Sequence, residues 1–315
     1  MAMIHLEPQT LEMFSRALGG LKPPPNLSLS QWADKYRKLS AEASASQGQW
    51  NTDAAPFQRE IMDAIGDVHI RKVVAMMCAQ AGKTEGLILN TIGFYMSYHP
   101  ASIMVMQPTV NLGESFSKDR LTPMLRDTPA LRGLVNTKSR YSGNTISKKN
   151  FPGGMLVIVG ANAPTDLRSR PIKVLLADEV DAYKASAGKE GDPVMLAEER
   201  QTTFWDYKTV MVSTPTTKAA SRILDEFNNS TQEEWTVPCP NYGFYQPFVW
   251  DNMVFDKEKW PDGGVQYRCA ECGCLDNEYR WKKGSVKGKW VAEHPERSVR
   301  GFHMNKMGST LCGWD

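Results

Sequence analysis

Val73-Val74-Ala75-Met76-Met77-Cys78-Ala79-Gln80-Ala81-Gly82-Lys83-Thr84 decides the fold. Five apolar residues end in a short loop closed by Gly-Lys-Thr, and residues 84–98 follow at helical spacing. Strand, loop and helix in this order make a phosphate-binding loop, although Met77 stands where the first glycine of that loop usually does. Backbone amides of Gln80, Ala81, Gly82 and Lys83, with the positive end of the helix, suit phosphate oxygens. Gly82 lets the backbone come close, Lys83 reaches the β and γ phosphates of a nucleotide, and the Thr84 hydroxyl ligates magnesium.

A second half of such a site lies downstream. Val174-Leu175-Leu176-Ala177 is an apolar strand that ends in the adjacent carboxylates Asp178 and Glu179. Asp178 would hold the magnesium, and Glu179, one residue further, would polarise an attacking water. Arg168 and Arg170 precede this strand and could balance charge on a transferring phosphoryl group, in their own site or a neighbour's. Plain surface ion pairs are the other reading of both arginines. Ser213-Thr214-Pro215 closes a later strand, where small hydroxyls sense the loss of a γ-phosphate or simply cap a loop. Gln58, at the start of a helix before the phosphate loop, is placed like the glutamine that reads adenine in many motor ATPases.

Further apolar runs at 102–106, 155–159, 173–177 and 209–212 alternate with helical stretches at 84–98 and 111–125. This alternation predicts an α/β domain with a mostly parallel sheet whose ligands sit at the carboxyl ends of the strands. Residues 145–147 and 155–159 flank the turn chemistry of Pro152-Gly153-Gly154 and predict a hairpin at the sheet edge. Apolar residues at 11, 14 and 18 give a short N-terminal helix followed by a stiff Lys22-Pro23-Pro24-Pro25 linker, either docked on its own domain or an arm for a partner. After about residue 234 aromatics, glycines and clustered cysteines suggest a small irregular module. The organisation read from the sequence is therefore 1–27 helix and linker, 28–235 core, and 236–315 cysteine-containing module with a return to the core.

With 37 basic and 35 acidic residues in 315, net charge gives no signature of strong nucleic-acid binding. Any such contact needs a local patch, and Lys138, Arg140, Lys148 and Lys149 around the expected hairpin offer one, or a solvated charged loop. Six cysteines are too few for a disulfide scaffold, which favours a reducing compartment, and no run of eighteen apolar residues exists to span a membrane.

Trp32-Ala33-Asp34, Gly48-Gln49-Trp50, Pro56-Phe57-Gln58-Arg59, the phosphate loop, Asp178-Glu179, Ser213-Thr214-Pro215 and Arg300-Gly301-Phe302-His303 follow one another along the chain. In this order and spacing they resemble the large terminase subunits of lambda-like phages, from about residue 28 onward. The resemblance implies a RecA-like, additional-strand P-loop ATPase, dependent on ATP and Mg2+, that drives double-stranded DNA into a procapsid. It makes Lys83 and Thr84 the nucleotide clamp, Asp178 the magnesium ligand, Glu179 the catalytic carboxylate, residues 213–215 the coupling motif and Gln58 the adenine reader. Its implied partners are a small terminase subunit, a portal ring and further copies of the chain in a ring, within the host cytoplasm and away from membranes. Family members continue into a nuclease domain built on an acidic cluster; after Gly301 this chain has only Asp315, so no nuclease activity is expected of it.

The family's cysteine module is altered. Tyr242 stands where a second cysteine would follow Cys239, opposite Cys269, Cys272 and Cys274. Cys274 could complete a tetrahedral Zn2+ site with Cys239, Cys269 and Cys272, or the knuckle has decayed to free thiols. Two other classes remain open on the sequence: a helicase-like translocase, which would need a second RecA-like lobe, and a non-catalytic zinc-knuckle nucleic-acid-binding module, for which Glu179 would be superfluous.

Overall fold

The computed structural model describes residues 26–42, 47–136, 143–168, 170–217, 220–255, 258 and 264–314. The expected helix at 10–18, the linker at 22–25, Lys138 and Arg140 lie outside them. In chain order the strands are β1 (Lys38–Leu39), β2 (Gly48–Gln49), β3 (Lys72–Met77), β4 (Ile103–Gln107), β5 (Lys148–Phe151), β6 (Gly154–Gly160), β7 (Val174–Asp178) and β8 (Lys208–Ser213). They continue as β9 (Glu233–Pro238), β10 (Tyr245–Pro247), β11 (Met253–Phe255), β12 (Val265–Arg268), β13 (Leu275–Asn277), β14 (Lys289–Ala292) and β15 (Arg300–Met304).

Ten of these form one sheet in the order β10-β9-β15-β3-β8-β7-β4-β6-β5, with β14 beside β9. From β9 through β15, β3, β8, β7 and β4 to β6 every pairing is parallel. The five apolar runs are thus β3, β4, β6, β7 and β8, and they adjoin one another. A parallel sheet buried on both faces has no polar alternation, which is why these strands read as unbroken apolar runs. Their side chains still alternate between two cores. Val73, Ala75, Met77, Val105, Leu176 and Val212 join one, while Val74, Met76, Met104, Leu175, Ala177 and Met211 join the other.

The first core is roofed by the helix Phe57–Gly66 and by a continuous helical stretch that begins with wide turns at Thr84–Leu89 and settles into regular α-helix at Asn90–Ser97. The second holds the helices Pro193–Glu198 and Arg222–Asn228. Only one parallel lobe exists among the described residues, since the remaining sheets are the β1-β2 pair and the three-stranded β11-β12-β13.

Two expectations shift in detail. The edge hairpin forms, but its first strand is β5, not residues 145–147, because Lys149 and Phe151 turn inward in alternation and the link to β6 shrinks to Pro152-Gly153. Lys149 is therefore 9% exposed, its ammonium bonded to the Thr145 and Ile146 carbonyl oxygens, and burial lowers its pKa. It is not free to meet a phosphate.

The residues at 32–34, 48–50 and 56–59 build a bracket behind the sheet. Trp32 stacks edge-on with Phe94, and its indole N–H donates to the Ser97 hydroxyl at 3.1 Å. Asp34 accepts the Thr52 amide at 2.7 Å, and its carbonyl accepts from Gln49 at 2.7 Å. Gly93 is what lets the outer edge of the Trp32 ring come close to the helix, since a Cβ there would overlap the indole. Gly93→Ala should destabilise the chain by about 1–3 kcal/mol through overpacking, read as a lower urea midpoint at unchanged slope. An unchanged midpoint would show that this contact does not hold the bracket.

Candidate nucleotide site

The phosphate loop leaves β3 at Met77 and reaches Thr84 through two left-handed residues, Gln80 (φ 62°) and Gly82 (φ 68°). Glycine meets the second at little cost, whereas Gln80 carries strain of order 1 kcal/mol. Gln58 buttresses the loop from below. Its amide nitrogen donates to the Ala81 carbonyl at 2.8 Å, and its oxygen is buried without a partner.

The structure places the Gln58 side chain beneath the phosphate loop, its amide turned to Ala81. The side chain is 1% exposed and fills the space that Gly82 and Gly86 leave, where a Cβ on Gly86 would overlap the amide. In this conformation it presents no edge to a base.

Lys83 lies 6% exposed at the centre of the cluster. Its ammonium donates to the Thr214 hydroxyl, to the carbonyls of Met77 and Cys78 at 3.5 and 3.4 Å, and approaches Glu179 at 3.5 Å. Parallel strands make this meeting possible. β3, β7 and β8 are neighbours in register, so Met77, Asp178 and Ser213 end at one edge.

Asp178 is 4% exposed. One carboxylate oxygen accepts from Gln107, at the end of β4, at 3.0 Å, and the other is buried without a partner. Burial raises its pKa to about 6, against the pull of the Gln107 hydrogen bond and with a further push from the Glu179 charge. A buried acidic oxygen lacking any donor is what a cation would satisfy. Gln107 escaped the sequence reading because a lone glutamine ending an apolar strand carries no pattern.

Glu179 sits in the left-handed region (φ 53°), pinned by its amide to the Val212 carbonyl at 2.7 Å. Its side chain is 44% exposed and thus open to water, unlike its neighbour Asp178. Adjacent carboxylates so divided suit one to a metal and the other to a solvent nucleophile. Thr84 opens the helix behind Lys83, where its hydroxyl suits the same cation.

The structure does not bring Arg168 or Arg170 to this cluster in the same chain. Arg168 pairs with Glu190 at 2.7 Å. Arg170 lies against Met155 at the start of β6, the edge opposite to Asp178.

The cysteines form a second centre. The sulfurs of Cys239, Cys269, Cys272 and Cys274 all lie within 4.8 Å of one another, with 3.8 Å from Cys239 to Cys272 and 3.4 Å to Cys274. Thiolates at about 2.3 Å around a tetrahedral zinc ion stand roughly 3.8 Å apart, so the set fits that metal. Two like turns carry it. Gly243 and Gly273, both at positive φ, return their amides to the Cys239 and Cys269 carbonyls at 2.8 and 3.0 Å. Tyr242 is solvent-exposed at its turn, and Cys274, one residue beyond Gly273, supplies the fourth sulfur.

Asp178 yields a pH prediction for the nucleotide-free chain. Its folded pKa exceeds the unfolded value of 3.8, so the folded state loses stability as pH rises from about 4 to above 6. Asp178→Asn removes that penalty: near pH 7 it should be more stable than wild type by roughly 3 kcal/mol, with the difference vanishing below about pH 4. Equal melting at pH 7 would mean that the carboxylate is not held charged in an apolar site.

Residues 44–290 match the family model described as the phage terminase large subunit gpA, ATPase domain. The chain is 30% identical over 279 residues to the terminase large subunit of Enterobacteria phage P21, covering 86% of this chain and 42% of that protein. It is 28% identical over 266 residues to the terminase large subunit of Escherichia phage lambda, covering 81% and 40%. The chain thus spans less than half the length of these curated relatives. Among solved structures, the large terminase of bacteriophage HK97 superposes with a TM-score of 0.52 at 14% identity, over 65% of this chain and 41% of that one, a likeness of fold.

Proposed function

From the premise that the chain belongs to the gpA family of phage terminase large-subunit ATPase domains, we propose that it hydrolyses ATP with Mg2+ to move double-stranded DNA into a procapsid. The observation that carries the reading is the convergence of Lys83, Asp178, Glu179 and Thr214 at the ends of three adjoining parallel strands.

Lys83 has one task without nucleotide and another with it. Without nucleotide its ammonium is shared between Thr214, two loop carbonyls and Glu179. A triphosphate offers stronger acceptors and takes it, which releases Glu179 toward solvent and Thr214 toward the γ-phosphate. The amides of Gln80, Ala81, Gly82 and Lys83 receive the other phosphate oxygens, and Asp178 and Thr84 would hold the magnesium, whose charge neutralises the phosphates. Glu179 then orients and deprotonates the attacking water. Loss of the γ-phosphate returns Lys83 to Thr214, so the loop at Ser213, Thr214 and Pro215 registers the state of the site.

Arg168 and Arg170 act, in this reading, on a neighbouring subunit's nucleotide in a ring, since Arg168 is paired with Glu190 and Arg170 lies at the edge opposite to its own Asp178. The small terminase subunit and a portal ring are the remaining proposed partners, in the cytoplasm of an infected host; no helix among the described residues is long and apolar enough to cross a membrane. The four cysteines would hold zinc as a structural ion, each supplying one sulfur ligand.

Two measurements test this. Magnesium-dependent ATP hydrolysis should fall at least about 100-fold in Glu179→Ala, while affinity for a non-hydrolysable analogue stays within about threefold. Turnover equal to wild type would remove Glu179 from the mechanism. The purified chain should carry one zinc per molecule by elemental analysis and lose it in Cys274→Ala; a metal-free wild type, folded and with four titratable thiols, would refute the zinc assignment.

A further inference from the structure

Asp181 lies two residues beyond the proposed catalytic carboxylate and belongs to none of the motifs above. Its backbone amide donates to the Ser213 hydroxyl at 3.2 Å. One carboxylate oxygen accepts from the Thr216 amide at 2.9 Å and from the Thr216 hydroxyl at 3.2 Å. The other accepts from the Ile223 amide, in the first turn of the helix Arg222–Asn228, at 2.8 Å. One residue thus ties the acidic strand end to both sides of the loop that carries Thr214, and to the helix beyond it.

We infer that Asp181 is the positioning residue that fixes the loop at 213–216 relative to Glu179, so that the exchange of Lys83 between Thr214 and a nucleotide phosphate moves the helix Arg222–Asn228. The inference rests on the ATPase reading of the site. Thr214, the residue that Lys83 touches, lies between Ser213 and Thr216, both held by Asp181. A displacement of Thr214 therefore cannot be absorbed by free bending of the loop; it acts on the Asp181 carboxylate and through it on Ile223. The helix in turn leads to Asn228 and Ser230, whose carbonyls accept from Arg297 at 2.7 and 2.8 Å, shortly before β15. β15 lies directly beside β3, which carries the phosphate loop. The circuit from loop to loop closes through the protein.

The geometry also separates this role from mere stapling. A carboxylate that only stabilised the loop would leave the reaction geometry intact in every molecule that folds. A carboxylate that sets the distance between Glu179 and Thr214 changes the rate of the chemical step, since misplacement by about 1 Å suffices for a roughly 100-fold loss.

The test compares wild type, Asp181→Asn and Asp181→Ala in the 315-residue chain. The readouts are kcat and KM for ATP with Mg2+, affinity for a non-hydrolysable ATP analogue, and thermal midpoint. Asparagine keeps the shape but can accept at one oxygen only, so it loses either Thr216 or Ile223; alanine loses both. The expected result is analogue affinity within about threefold of wild type, with kcat lowered about 10-fold in Asp181→Asn and about 100-fold in Asp181→Ala. If Asp181→Ala does not fold, Asp181→Asn decides. Wild-type kcat in the folded variants, whatever their melting point, overturns the inference alone. Absence of turnover in the wild-type chain instead overturns the ATPase reading and this inference with it.

Discussion

The ammonium of Lys83 is the interaction on which the rest depends. A buried lysine needs acceptors on every side, and here they come from three places: the end of its own strand, the hydroxyl of Thr214 after β8, and the carboxylate of Glu179 after β7. No single segment could provide that set. It exists only because β3, β8 and β7 are parallel, adjacent and equal in register, so that three distant pieces of sequence end at one edge. The double burial of these strands, and the apolar runs that encode it, serve to hold that edge in place.

Around the lysine the site is divided between a dry side and a wet one. Asp178 is sealed under the sheet edge with an unpartnered oxygen, and Glu179 reaches solvent from a left-handed turn. Two adjacent acids in like surroundings would repel each other; set in different ones they take different roles. Glycines perform the matching service for the phosphate loop. Gly82 supplies the positive φ, and Gly86 makes room for the Gln58 amide that supports the loop from below. On the solvent side Leu311 lies 3.0 Å from where a Gly82 side chain would begin, so the loop is held between the helix Phe57–Gly66 and the segment that follows β15.

Much of this was legible in the sequence because two signals are strong: unbroken apolar runs for the central strands, and a glycine loop and acid pair at the ends of two of them. What escaped lacks local pattern. β15 inserts between β9 and β3, yet Arg300-Gly301-Phe302-His303-Met304 has neither an apolar run nor clean alternation, because Arg300 bonds Glu233 and Glu60, and His303 bonds Glu234. Its polar side chains are satisfied by residues almost seventy positions or more away, which spacing cannot reveal. Gln58 was visible as a glutamine before a phosphate loop, but the direction of its amide depends on two glycines more than twenty residues downstream. The fourth sulfur at Cys274 was nameable but undecidable, since only the fold brings Cys239 within 3.4 Å of it.

The measurement that bears most directly on this account is calorimetric binding of a magnesium-bound, non-hydrolysable ATP analogue to the wild-type chain and to Lys83→Ala. Wild type is expected to show one saturable site and Lys83→Ala an affinity at least about 100-fold weaker, because the triphosphate loses the buried ammonium of the loop. Equal affinity in the two proteins would contradict this, and would mean that nucleotide, if bound at all, does not sit on this loop.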